Sequence, residues 1–130
     1  MTKKPKRKLM VVDNEIDICN FVKAFFETRG FQVAIALNGD EAMAKLLSEM
    51  PDIVILDVMM RRGDEGLEYL PKIKKALPQT KVIMVTGIDD SDIVERAKQL
   101  GSDDYITKPL MLDYLESTVL AKIQSLGAAV

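Results

Sequence analysis

At 130 residues, 48% hydrophobic and 29% charged, the chain has the size and composition of one globular domain built on a single two- or three-layer core. It contains no histidine, which excludes a Ser-His-Asp or Cys-His mechanism and a His-ligated metal within the chain, so chemistry falls to carboxylates, hydroxyls and lysines. The net charge of −2 is unevenly divided: five of the eighteen basic residues lie in the first eight, leaving thirteen bases against twenty acids beyond them. Such an acidic body does not suit direct nucleic-acid binding.

The opening MTKKPKRK (1–8) lacks the apolar core of a signal peptide and reads as a basic, flexible tail. No apolar run exceeds five residues, so no membrane partner is expected and the setting reads as cytoplasmic. KLMVV (8–12) is a short apolar strand, followed by a helical stretch from about Glu15 to Arg29 with Ile18, Val22 and Phe25 on one face and Gly30 at its stop. The single cysteine, Cys19, falls in that periodic segment and reads as a small core residue of a reducing compartment. FQVAIA (31–36) is a second strand and NGDEAMAKLLSEM (38–50) a second helix, with Asn38 as its cap and Pro51 just past its end. A third strand spans 52–56, and its helix runs from about Leu67 to Ala76. KVIMV (81–85) and a helix over 91–100, closed by Gly101, come next. DYI (104–106) is a short fifth strand. The last helix covers 111–126 with Leu112, Leu115, Val119, Ile123 and Leu126 as its inner stripe, and 127–130 form a C-terminal tail.

Strands of apolar residues without alternation, each followed by a helix, indicate a parallel sheet covered on both faces. The expected fold is an α/β domain over 9–126: a doubly wound, five-stranded parallel sheet. Ligands of such sheets bind outside the carboxyl ends of the strands. Those ends carry Asp13-Asn14-Glu15, Asp57, Thr86-Gly87 and Thr107-Lys108-Pro109. Carboxylates gathered on one edge repel each other unless a cation joins them, and oxygen donors without Cys or His select Mg²⁺ or a similar ion. The set suits phosphoryl transfer to a carboxylate. Asp57 would be the nucleophile, Mg²⁺ and Lys108 would neutralise the transferring group, Thr86 would supply a hydrogen bond, and Gly87 would offer an unobstructed N–H.

VVDNE, DIVILDVMM, VIMVTG and GSDDYITKP, in this order, resemble the successive motifs of the receiver domain of two-component response regulators. The resemblance implies a flavodoxin-like strand order 2-1-3-4-5, a cis bond between Lys108 and Pro109, and phosphorylation of Asp57. The donor would be a phosphohistidine of a sensor histidine kinase or phosphotransfer protein. It also implies metal ligation by Asp13, Asn14, Asp57 and the Met59 carbonyl, and a switch pair of Thr86 and Tyr105. The surface that changes would be helix four, strand five and the last helix. It would serve a downstream protein, a covalently linked output domain, or a homodimer through that face.

The sequence departs from the family pattern at Asn14, where an acid is usual, at Arg61, where a proline is usual, and in DEG (64–66), which lengthens the loop after Asp57 by one residue. A neutral amide at position 14 implies weaker Mg²⁺ binding, and the longer loop a different shape or mobility. Met59 and Ile88, by resemblance the residues lining the path of hydrolytic water, are both apolar. The competing reading is a pseudo-receiver that binds protein without phosphorylation. A haloacid-dehalogenase-type phosphatase lacks its second Asp here, and a flavodoxin would need hydroxyls and glycines, not acids, after the first strand.

Overall fold

The computed structural model describes residues 7–60, 63, 65–87 and 90–127. Arg61, Asp64, Ile88, most of the basic tail and residues 128–130 lie outside the described residues. The elements alternate: β1 (Lys8–Val12), α1 (Ile16–Glu27), β2 (Gln32–Ala36), α2 (Gly39–Glu49), β3 (Ile53–Asp57), α3 (Glu65–Ala76), β4 (Lys81–Thr86), α4 (Ser91–Gln99) and β5 (Asp104–Thr107). A final helix begins as α5 (Leu112–Tyr114), widens into a π-turn (Leu115–Val119) and continues as α6 (Leu120–Gly127). The five strands are parallel in the order β2-β1-β3-β4-β5, as the resemblance implied.

Strand periodicity divides the core in two. Met10, Val12, Val54, Leu56, Val82 and Met84 point to the face covered by α2, α3 and α4, where they meet Leu46, Leu70 and Ile73. Leu9, Val11, Ile53, Ile55, Ile83 and Val85 point to the other face, against Val22 and Phe26 of α1 and Leu115, Val119 and Ile123 of the last helix. Each of these strands is buried on both faces, which is why its sequence shows no polar alternation. Cys19 is fully buried in the second cluster, and burial first, then the Asp13 charge, push its thiol up to about 11. It is a core residue.

Local signals place most of the boundaries. Asn38 caps α2 by accepting the Glu41 N–H at 2.7 Å. Gly30 and Gly101, at φ +90° and +106°, take the left-handed backbone that closes the turns after α1 and α4. Several boundaries differ from the sequence reading by a residue or two: α3 starts at Glu65, and β3, β4 and β5 each run one residue further, to Asp57, Thr86 and Thr107. β3 extends through Asp57, because its neighbour β4 continues the ladder to an Asp57–Val85 pair. Leu112 is 53% exposed and does not belong to the inner stripe. It is the first residue of the helix, and its neighbours Met111 and Asp113 are exposed as well. The fully buried part of that stripe steps by four residues, from 115 to 119 to 123, before Leu126 closes it at a step of three. Repeated steps of four drift around a regular helix of 3.6 residues per turn, and a wide turn returns the later residues to the sheet.

Candidate functional site

The register of the central strands builds the site. Leu9 pairs with Ile53 and Val11 with Ile55, so the same alternation carried to the strand ends sets Asp13 beside Asp57. Both carboxylates are buried, at 3% and 2% exposure. Lys108 joins them: its Nζ lies 2.9 Å from Asp57 Oδ2 and 3.4 Å from Asp13 Oδ2. The other oxygens are turned to backbone. Asp13 Oδ1 accepts the Glu15 N–H at 2.9 Å, and Asp57 Oδ1 accepts the Met59 N–H at 3.3 Å.

One ammonium does not balance two buried carboxylates. Burial, with the Asp13 charge added, pushes Asp57 up to about 6 against the opposing pull of Lys108. Burial acts to lower the Lys108 pKa, but the hydrogen bond and charge of Asp57, with the charge of Asp13, outweigh it and hold the ammonium above its ordinary value. The site is thus short of positive charge and offers only oxygen donors, which fits a hard divalent cation held by one or two carboxylates. Among the described residues no three acidic, cysteine or histidine side chains gather into a cage, so Asp13 and Asp57 are the two carboxylates in reach. Asn14, next to Asp13 in sequence, is exposed and lines a hollow of about 530 Å³ with Asp40, Glu41, Met60 and Glu65.

Thr86 and Gly87 end the neighbouring strand. The Thr86 side chain is buried, and its hydroxyl donates to the Gly87 carbonyl at 3.2 Å. Tyr105 lies outside, 37% exposed. Between them is a cavity of about 350 Å³ also lined by Asp90, Val94 and Thr107. The Lys108–Pro109 bond is cis, and the Lys108 N–H donates to the Thr86 carbonyl at 2.9 Å.

Three further residues were not singled out from the sequence. Gly66 donates its N–H to the Val58 carbonyl at 3.0 Å, and a Cβ there would overlap the Asp57 carbonyl oxygen. Only glycine lets α3 start against the strand end that carries Asp57, and a glycine inside a helix was the available signal. Tyr114 accepts the Thr107 N–H at 3.0 Å, and Lys122 lies over the Tyr105 ring at 5.2 Å. These two act from the last helix onto β5, and nothing in their spacing announces it. The loop after Asp57 closes on itself, with Met60 and Gly63 bridged by a 2.9 Å hydrogen bond.

Comparison with known proteins agrees with this architecture. The chain superposes on a two-component response regulator from Clostridium difficile with a TM-score of 0.82 at 28% identity, covering 93% of this chain and 95% of that one. It superposes on a CheY-like response regulator receiver domain protein from Methanospirillum hungatei with a TM-score of 0.84 at 27% identity, covering 97% and 100%. In sequence it is 34% identical over 111 residues to the transcriptional regulatory protein ZraR of Klebsiella oxytoca, covering 85% of this chain and 25% of that protein. It is also 34% identical to the alkaline phosphatase synthesis transcriptional regulatory protein PhoP of Bacillus subtilis, covering 79% and 42%. The chain therefore spans less than half the length of these curated relatives. The family described as the response regulator receiver domain matches residues 9–120, and with the shared sheet order and strand-end motifs this shows that the chain belongs to that family of two-component signalling domains.

Proposed function

We propose that the domain takes a phosphoryl group from a phosphohistidine of a sensor histidine kinase or phosphotransfer protein onto Asp57. An Asp57 carboxylate oxygen attacks phosphorus, the N–P bond of the donor breaks with its electron pair returning to the imidazole, and an acyl phosphate forms. The observation that carries this reading is the Lys108 bridge, 2.9 Å from Asp57 and 3.4 Å from Asp13, at a buried strand end. An ammonium held there is placed to offset charge as it builds on the transferring oxygens. The Thr86 hydroxyl and the Gly87 N–H stand at the adjoining strand end as hydrogen-bond donors. Asp13, Asp57, the Asn14 amide and the Met59 carbonyl are the groups that would hold Mg²⁺, which when bound supplies the positive charge the two carboxylates lack.

Phosphorylation would then draw Thr86 toward the new group and Tyr105 into the cavity behind it. The face of α4, β5 and the last helix would be altered for a downstream protein, a linked output domain or a second copy. A cytoplasmic setting and a domain over 9–126 belong to the same reading, although the tail expected over 1–8 ends before Lys8, which the sheet takes as the first residue of β1. Incubation with acetyl phosphate and Mg²⁺ should add one phosphate by intact mass, and Asp57→Asn should abolish it. Equal labelling of the variant would place the site elsewhere. Asn14 and Arg61, each in place of the family's usual residue, favour a phosphorylation-independent pseudo-receiver as the alternative. A wild-type chain that takes up no phosphate would establish that alternative.

A further inference from the structure

The outer edge of β5 is closed by side chains instead of another strand. β5 pairs with β4 on one side only. On its other side the Thr107 N–H donates to the Tyr114 hydroxyl at 3.0 Å, and the Tyr105 carbonyl accepts from Lys122 at 3.0 Å. Thr107 is the last residue of the strand, and Lys108 leaves directly from it. The Lys108 N–H points the opposite way, to the Thr86 carbonyl at 2.9 Å. Two consecutive amides are thus held from opposite directions, by Tyr114 from outside and by β4 from inside. The segment between them is the root of the lysine that reaches Asp57 and Asp13.

We propose that Tyr114 is a positioning residue for Lys108: its hydroxyl fixes the end of β5 so that the ammonium is delivered to both carboxylates. A lysine has a flexible four-carbon stem and no planar fork to orient it, so its head is placed only as well as its Cα is held. The half-buried Tyr114 ring is the last residue before the π-turn, which sits among the buried residues that anchor the last helix to the sheet. The hydroxyl is therefore carried on a packed element and not on a loose side chain. If Tyr114 serves only to satisfy an edge amide, its removal affects the strand but not the chemistry of Lys108. The inference rests on the reading that Lys108 assists phosphorylation of Asp57.

The test compares four versions of this chain: wild type, Tyr114→Phe, Lys108→Ala and the double variant. In Tyr114→Phe the Thr107 amide should exchange with solvent roughly tenfold faster, the loss of about one hydrogen bond. Labelling by acetyl phosphate at saturating Mg²⁺ should slow about threefold to tenfold, as small misplacements of a charge-stabilising group do, with Mg²⁺ affinity unchanged. Lys108→Ala, followed over hours by intact mass, should label slowly, and adding Tyr114→Phe should slow it no further. Wild-type labelling in Tyr114→Phe, or the same fold loss in the Lys108→Ala background, overturns the inference while leaving the phosphorylation reading in place. A wild-type chain that takes no phosphate overturns both.

Discussion

The Lys122 ammonium holds Tyr105 from outside: it stands 5.2 Å from the ring centroid, donates to the Tyr105 carbonyl at 3.0 Å, and pairs with the preceding Asp104 at 2.8 Å. An inward turn of the ring into the cavity beside Thr86 must give up the ring contact. A cation over an exposed ring contributes about 0.5–1 kcal/mol, which shifts a two-state side chain by roughly twofold to fivefold. Lys122→Met should raise the inward population of Tyr105 by that factor without phosphate, read from the Tyr105 ring signals in NMR. Ring signals identical to wild type would show that Lys122 does not bias the ring's position.

Asp57 carries a pH signature. Its carboxyl is raised from 3.8 to about 6, so the folded protein keeps a proton that the unfolded chain releases over that interval. The unfolded state then binds fewer protons, and stability falls as pH rises from about 4 to 6. Above that window the cost is fully present. In metal-free solution near pH 7.5, Asp57→Asn should be more stable than wild type, and the gap should close near pH 3.5. Urea titrations at both pH values check this, and equal stability at the higher pH would mean that Lys108 already compensates the charge.

Asn14→Asp should tighten Mg²⁺ binding. On the proposed ligand set, the substitution would add an anionic donor beside two carboxylates, and a gain of tenfold corresponds to about 1.4 kcal/mol, modest for one added charge near a divalent ion. Calorimetric titration gives the two affinities directly. Equal values would remove position 14 from the metal site.

Gly66→Ala should damage fold and site together. The added methyl meets the Asp57 carbonyl and the Val58 Cα, both backbone, so neither can turn aside. Overpacking of this kind costs about 1–3 kcal/mol, and here the relief must come from moving the end of β3. We expect a lower melting temperature and weaker labelling of Asp57. Unchanged labelling would show that α3 can retreat without disturbing the site.

The phosphorylated state should be long-lived. Met59 is 53% exposed beside Asp57 and, like Ile88, offers no strong hydrogen bond to orient an attacking water. Phosphate loss from the purified phosphoprotein should accelerate in the Met59→Asn, Ile88→Glu double variant. Loss at the same or a slower rate would remove these side chains from control of hydrolysis.

The order of elements, the two-sided burial of the sheet and the strand-end position of Asp13, Asp57, Thr86 and Lys108 were all legible in the sequence. Each follows from a local pattern: an unbroken apolar run, a helical spacing, a glycine or proline stop. Asn38 and Cys19 were readable for the same reason. What the sequence could not supply was distance. That Lys108 bridges two carboxylates depends on the register of β1 against β3 and on where β5 ends, and both are long-range pairings. Leu112 had the right spacing for the inner stripe but stands exposed at the first position of its helix, before the packed turns begin. Tyr114 and Lys122 looked like ordinary helix residues because their partners, Thr107 and Tyr105, lie on a strand edge that only the packed helix reaches. Local periodicity decides which residues turn inward. Only the closing of the sheet and its helices decides which of them meet.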